Sequence, residues 1–353
     1  MRQLGARDLP QIRRVWRECF GDSESFLDVY FSSAARPEDG IGLFHGSTLV
    51  SNLFELPMRA RVTGQEYVCA FVAGCATLPE WRRRHLLGDL MRAALADMRS
   101  REVCVSFLHP SRHSFYRKFG YETVNYVQYH TAQPVAESPV CIASTLADVP
   151  EESVYASYRA FVSRFNSHFV RTSQRMHAWL ELLFSDGGFA AYLEQEERTP
   201  YVLFYKNSDG NGQTTADVFE LVCDTPEQRT ALTTGLGCPA RFFEPCDPDS
   251  AGAREYTMMR VVCPEIMLQR YPYSRDTSPF VIHVQDTFLE IDYNLEVVPS
   301  RAGTSVRHVE TSPDITVGIS GLAQLLTGTY SPWLFPEALH VFRQYSSCYF
   351  DTY

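Results

Sequence analysis

The sequence predicts an α/β (α+β) chain of three domains: two mixed sheets with flanking helices over residues 1–133 and 134–262, and an α+β unit over residues 263–353. Three observations carry this expectation. Between residues 70 and 108, an apolar run closed by Pro79, a helical spacing and a second apolar run make one strand–helix–strand unit with parallel strands. A similar order of helices, hairpin strands, another strand and a helix returns between residues 148 and 236 in degenerate form. At 353 residues the chain is also too long for one ordinary core.

In chain order, Leu9, Ile12, Val15, Trp16 and Cys19 recur at helical spacing behind Asp8 and Pro10, which predicts a first amphipathic helix. A short second helix is expected over 26–32. Residues 41–44, 48–56 and 58–62 read as antiparallel strands with turns at 45–47 and 63–64. The strand 70–78 then leads to a helix over 86–98, whose apolar face is Leu86, Leu87, Leu90, Met91, Ala94, Leu95 and Met98. Strands at 103–108 and 124–130 close the first domain, and the polar, proline-bearing stretch 132–139 is the joint. The second domain is expected to hold helices at 148–165, 172–184 and 225–236, with Thr172 as an N-cap, and strands at 189–193, 201–206, 217–222 and 256–262. Residues 237–253, rich in Pro, Gly, Asp and Cys, read as a loop. In the third domain, 264–271 precedes strands at 280–284, 288–293, 294–298 and 314–318 and a helix at 319–327. The last six residues hold three aromatics, so the chain end is expected to be buried rather than frayed.

Net charge is -10, which argues against nucleic acid or an anionic membrane as partner. It suits a cationic substrate, although solubility accounts for it equally. No apolar run is long enough to cross a bilayer, and the first twenty residues carry five arginines, so a cytoplasmic setting is expected. The ten cysteines include no Cys-x-x-Cys pair and the histidines no zinc-like spacing, so no metal is expected. Cys69, Cys75 and Cys104 lie in apolar runs and read as reduced core residues.

The chemistry concentrates in two turns. Trp81-Arg82-Arg83-Arg84-His85 falls at the start of the helix 86–98, where free N–H groups and the positive end of the helix dipole favour an anion. The second turn is Ser114-Phe115-Tyr116-Arg117-Lys118-Phe119-Gly120-Tyr121. Together these segments resemble the GNAT N-acetyltransferases, and more narrowly their "enhanced intracellular survival" (Eis) branch. The likeness extends over essentially the whole chain. It implies tandem GNAT-like domains, the second degenerate because the acidic stretch Cys223-Asp224-Thr225-Pro226-Glu227 would repel pyrophosphate, and a C-terminal domain similar to sterol carrier proteins. The third domain reads as a structural module more readily than as a lipid carrier.

The resemblance also implies a cofactor and its site. Acetyl-CoA would meet the backbone of Cys75, Ala76 and Thr77, a segment that also reads simply as core strand. Arg83, Arg84, His85, Leu86, Leu87 and Gly88 would wrap its pyrophosphate, and Ser111 and Arg112 would touch it from the next turn. His85 stands where the family has glycine; its side chain either crowds the pyrophosphate or points outward with its N–H available. Tyr116 matches the general acid that protonates CoA sulfur, a task suited to a phenol whose ordinary pKa is about 10. The Tyr353 α-carboxylate matches the group that takes the proton of a small-molecule amine, aminoglycoside-like or otherwise polycationic. Asp22, Glu24 and Phe26 are candidates for holding that amine, with Asp22 or Ser23 equally readable as a helix cap. A homo-oligomer, a hexamer in the family, is implied as well. The alternative is a non-enzymatic protein that binds a lipid or small molecule in its C-terminal domain.

Overall fold

The computed structural model describes residues 1–195, 197–208, 210 and 212–351. The chain begins with β1 (Arg2–Gln3), α1 (Leu9–Phe20), α2 (Glu24–Val29), β2 (Gly40–His45), β3 (Thr48–Val62), β4 (Gln65–Thr77), α3 (Leu86–Ser100), β5 (Val105–Leu108), α4 (His113–Arg117) and β6 (Glu122–Thr123). The middle holds β7 (Tyr126–Ala132), β8 (Cys141–Ala143), α5 (Glu151–Val162), β9 (Ser167–Phe169), α6 (Ser173–Ser185), β10 (Phe189–Tyr192), β11 (Tyr201–Ser208), β12 (Thr214–Val222), α7 (Pro226–Thr234), β13 (Ala240–Cys246), β14 (Arg254–Glu255) and β15 (Met258–Val261). The rest comprises α8 (Pro264–Arg270), β16 (Phe280–Asp286), β17 (Ile291–Val298), β18 (Ser305–Val309), β19 (Ile315–Gly318), α9 (Ile319–Thr327) and β20 (Ser347–Cys348).

Among the described residues these strands form three sheets. In the first, β4 and β5 are parallel, as a strand–helix–strand unit requires. Helix α3 buries Leu90, Met91, Ala94, Leu95 and Met98, and α1 buries Ile12, Val15 and Trp16. Both helices pack on β3 and β4. The unbroken burial of β3 from Leu49 to Leu56 reflects cover on both faces of the sheet. The second sheet repeats the connection: β12 and β13 are parallel and joined through α7. The third sheet, in the order β18-β17-β16-β19, carries α9 at its end.

The first two sheets exchange strands across the expected bound at 133. Strand β7, expected to close the first sheet, pairs with β13 in the second from Tyr126 to Ala132. Strand β15 instead lies between β5 and β6 in the first. Each parallel pair is thus completed by an antiparallel strand from beyond the bound. Periodicity identifies a strand but not its partner, so the exchange has no local signature.

Three further expectations are corrected. Residues 48–56 and 58–62 are one strand, β3, running through Pro57. That residue falls where β2 has stopped pairing, at Phe54, and β9 has not begun, at Ala60, so an absent N–H is tolerated on the open edge. The expected loop 237–253 contains β13, because Phe242 and Phe243 bury alternate faces between flanking prolines. Of residues 288–298, expected as two strands, only 291–298 form one, β17, since Asp286 Oδ1 accepts from Phe288 N and Leu289 N (both 3.2 Å) and holds the residues before it as a turn. Strand β18 was not expected at all.

The chain end returns between the sheets. β20 pairs in parallel with β9, which in turn pairs with β3. Tyr349, Phe350 and Asp351 are buried, as expected for the described part of this end. Arg171 donates from Nη1 and Nη2 to Glu220 Oε1 (2.8 Å) and Oε2 (2.6 Å), and from Nε to Asp351 Oδ1 (2.6 Å). All three side chains are 0% exposed. Removing one partner of such a cluster leaves buried charge uncompensated, so Arg171→Met is expected to cost about 3–5 kcal/mol in urea unfolding. A loss below about 1 kcal/mol would show that the cluster does not hold the chain end.

Candidate active site

The site begins with a departure of strands. β4 and β5 pair only over Cys69–Phe71 with Val105–Phe107; beyond Phe71, β4 runs on to Thr77 along β3 alone. Within that free stretch β4 bulges, because Asn52 pairs with Ala76 and Phe54 with Ala73, leaving Gly74 and Cys75 opposite Leu53. Gly74 has φ 55°, and a Cβ there would overlap the Trp16 indole, so this position requires glycine. Asn52 Nδ2 secures the bulge by donating to Gly74 O (2.7 Å). Ser51 Oγ donates to Ala76 O (2.8 Å), so that carbonyl is already occupied on the β3 side.

After β4 the basic turn winds once at Pro79–Trp81 and enters α3. Arg82 Nε donates to Thr77 O (3.0 Å), and the Arg84 guanidinium lies over the Trp81 ring at 4.5 Å. Arg83 and His85 both adopt left-handed backbone, φ 62° and 61°, and both are exposed. His85 therefore takes the conformation that glycine adopts freely, with its side chain outward. No side chain caps α3, but Gly88 N is already bonded to His85 O (2.9 Å), so Gly88 is not a free donor. Leu86 and Leu87, half-buried, supply the helix start, where the dipole favours an anion. The arginines, the outward turn and the uncapped helix suit a pyrophosphate.

Two adjoining lobes open where β4 and β5 part. The smaller, about 310 Å³, is lined by Trp16, Asp22, Gly74, Cys75, Ser111 and Tyr116 among others. The larger, about 780 Å³, extends toward the second sheet and has an aromatic wall that includes Trp179, Phe219, Phe243 and Tyr256. Phe26, Tyr30 and His109 line both. Cys75, Ser111, Tyr116, Asp22 and Phe26 are thus brought together. Arg112 is exposed at the start of α4. Glu24 stands apart: Arg13 and Arg17 hold its carboxylate, and it lines neither lobe. Tyr353 lies outside the described residues.

The electrostatics differ from group to group. The Tyr116 phenol is held above its usual pKa, chiefly by the neighbouring Cys75 and then by burial, so it stays protonated at neutral pH. Burial pushes the Cys75 thiol up to about 12, which removes it as a nucleophile. Ser23, not Asp22, caps α2, accepting from Phe26 N (3.1 Å). The Asp22 carboxyl is raised to about 6, first by burial and then by repulsion from Asp186, which lines the larger lobe. Asp217, also in that lobe, is offset by Arg241 (2.8 Å). His109 is held down to about 4 by burial and then by His113, and is neutral at physiological pH. Asp186 and His109 were missed in sequence. His109 sits in the turn before Tyr116 and was within reach; Asp186 comes from the far end of α6, with no local signal.

Two outcomes follow. His85→Gly is expected to retain acetyl-CoA affinity and to alter stability by no more than about 1 kcal/mol, since the left-handed strain it relieves is offset by added freedom of the unfolded chain. A large loss of affinity in calorimetry would assign the imidazole itself to the cofactor. For Asp22, a carboxyl raised from 3.8 to about 6 binds its proton more tightly when folded, so stability falls as pH rises through that window. Asp22→Asn should therefore raise the melting temperature above pH 6, with the gain vanishing near pH 4, and weaken amine binding at the higher pH.

Comparisons with known proteins agree with this geometry. Residues 1–124 match the acetyltransferase (GNAT) domain, and residues 265–339 match the sterol carrier protein domain. No curated protein matches in sequence. Among solved structures, a conserved protein from Enterococcus faecalis V583 superposes with TM-score 0.77 at 17% identity, over 100% of this chain and 99% of that one. Eis1 from Mycobacterium abscessus gives TM-score 0.72 at 20% identity, and a GCN5-related N-acetyltransferase from Anabaena variabilis ATCC 29413 gives 0.75 at 15%, each over 100% of this chain and 99% of the other. These likenesses show a shared fold along the whole length. Residues 1–124 are an acetyltransferase domain of the GNAT type, followed at residues 265–339 by a sterol carrier protein domain.

Proposed function

We propose that the protein transfers the acetyl group of acetyl-CoA to a primary amine of a polycationic small molecule. The observation that carries this reading is the two-lobed cavity, in which Asp22 and Asp186 present carboxylates beside aromatic rings and Tyr116 closes the end nearest β4. Carboxylates and aromatic faces both attract ammonium groups. Acetyl-CoA supplies the acetyl thioester at the splayed end of β4, with Arg83, Arg84, His85, Leu86 and Leu87 about its pyrophosphate and Cys75, Ala76, Thr77, Ser111 and Arg112 along its arm.

In this reading Tyr116 gives its proton to the departing CoA sulfur, and the Tyr353 α-carboxylate takes, through water, the proton that the amine loses as its nitrogen bonds to the acetyl carbon. Support for the second role comes from where the described chain end packs. Cys348 and Phe350 are buried in one cluster with Trp179, Phe243 and Tyr256, three residues that also line the larger lobe. Asp351 is fixed on Arg171, which lies over the Trp179 ring at 5.0 Å. No metal takes part. Assembly into a homo-oligomer, a hexamer by family resemblance, and a cytoplasmic setting belong to the same proposal.

Release of CoA thiol with spermidine or kanamycin as acceptor tests it. Tyr116→Phe is expected to lower kcat by about 100-fold or more with little change in the KM for acetyl-CoA. A chain ending at Thr352 should still bind acetyl-CoA but turn over slowly at pH 7, recovering as rising pH deprotonates the amine. Full activity in either variant removes that group from the mechanism.

A further inference from the structure

The acid step uses Tyr116 and leaves unexplained the three residues that close its turn, Phe119, Gly120 and Tyr121. Helix α4, which carries Tyr116, has only five residues, none of them fully buried, and no side chain caps its start. So short a helix does not hold its own place, and its neighbours must set it. On the outer side Arg117 pairs with Glu122 and Glu255, but its side chain is 39% exposed, and exposed pairs contribute little. At the start of α4, His113 Nε2 lies 3.1 Å from Tyr256 O. The inner side is tied more firmly. Tyr121 is buried, with its hydroxyl 2.6 Å from Ser106 Oγ. Phe119 N donates to Tyr116 O (2.9 Å), so whatever fixes Phe119 also fixes the backbone of Tyr116.

Arg260 is what fixes Phe119. It donates from Nη1 to Phe119 O and from Nη2 to Asp286 Oδ2. The two side chains are 1% and 6% exposed. Arg260 comes from β15 in the first sheet, whereas Asp286 ends β16 in the third, within the sterol carrier protein domain. Gly120 makes room for the guanidinium: its φ is 79°, and a Cβ there would overlap Arg260 and the side chain of Ile319 at the start of α9. The other oxygen of Asp286 holds the turn that carries Phe288, whose ring centroid lies 5.0 Å from that of Phe119. The carbonyl of the Tyr116 turn and the carboxylate of the third sheet thus share one rigid fork. A guanidinium held at both ends in this way admits a single placement.

We infer that Arg260, held by Asp286, is a positioning residue for Tyr116. It fixes the Phe119 carbonyl and, through it, the reach of the phenol toward the CoA sulfur, so the sterol carrier protein domain sets the rate of a reaction carried out on the first domain. The inference rests on the reading of Tyr116 as the acid. It gives that domain a task in the reaction that needs no lipid, and it accounts for Gly120 as the residue that lets the guanidinium approach.

Rates of CoA release with spermidine test this in Arg260→Lys and Asp286→Asn, each alone and combined with Tyr116→Phe. A lysine keeps the charge beside Asp286 but lacks the fork that serves both partners. Arg260→Lys is expected to lower kcat by about tenfold, with the KM for acetyl-CoA within about twofold of the wild type. Asp286→Asn preserves shape and should lower kcat by about threefold, which keeps the test available if Arg260→Lys does not fold. In the Tyr116→Phe background neither substitution should lower kcat further, because misplacing an acid that is already absent has no effect. A purely structural role would instead multiply the two losses. Unchanged kcat in Arg260→Lys, or losses that multiply, overturns the inference and leaves Tyr116 as the acid. Full activity in Tyr116→Phe overturns both.

Discussion

The buried guanidinium of Arg171 is the constraint on which the arrangement of the sheets depends. It is shared by Glu220 of β12 and Asp351 of the chain end, and Tyr201 donates to the same Glu220 carboxylate (2.6 Å). One cation between two carboxylates in an apolar setting is stable only if every member is in place, so the cluster specifies position more than it adds stability. It pins the end of the chain to the second sheet. β20 meanwhile joins that end to β9 and, through β9, to the first sheet. The aromatic rings of Phe107, Phe169 and Tyr349 fill the space between, with centroids 4.8 to 5.0 Å apart.

The strand exchange has the same effect at the other side of the junction. β7 and β15 each complete the sheet of the other expected domain, so the chain crosses between the two sheets through two-residue connections at 124–125 and 256–257. The larger lobe of the cavity lies between them, with His109 after β5 on one side and Phe219 and Phe243 of the second sheet on the other. The carboxylates that face this cavity come from separate elements, Asp22 from the turn between α1 and α2 and Asp186 from the end of α6, and Asp186 adds to the cost of ionising Asp22. Left-handed backbone at non-glycine residues occurs at Arg83 and His85 in the basic turn and, elsewhere, at Thr63, Glu102 and Glu290; Gly74 adopts it in the β4 bulge.

Much of the fold was legible because its signals are local. The helical spacing from Leu86 to Met98, the apolar run before it, and the Thr172 cap each survive as observed elements. The basic turn could be placed at a helix start for the same reason. What the sequence withheld is what depends on partners distant in the chain. Pro57 reads as a break because its tolerance depends on where β2 and β9 stop. β13 reads as a loop because Pro239 and Pro245 flank a short core of Phe242 and Phe243. Asp22 and Glu24 look alike as acidic candidates two residues apart; only the fold shows Glu24 spent on Arg13 and Arg17 while Asp22 faces the cavity. Asp186 could not be found without knowing that α6 ends beside the first sheet.

The central claim is that the basic turn and the splayed end of β4 hold acetyl-CoA. The most direct measurement is the melting temperature with and without acetyl-CoA, in the wild type and in an Arg83→Ala, Arg84→Ala double variant. At about 100 times its dissociation constant, a ligand of the folded state adds roughly 2.7 kcal/mol of stability. The account predicts a clear upward shift in the wild type that shrinks in the double variant at the same concentration. No shift at saturating acetyl-CoA, or an equal shift in both proteins, would contradict it.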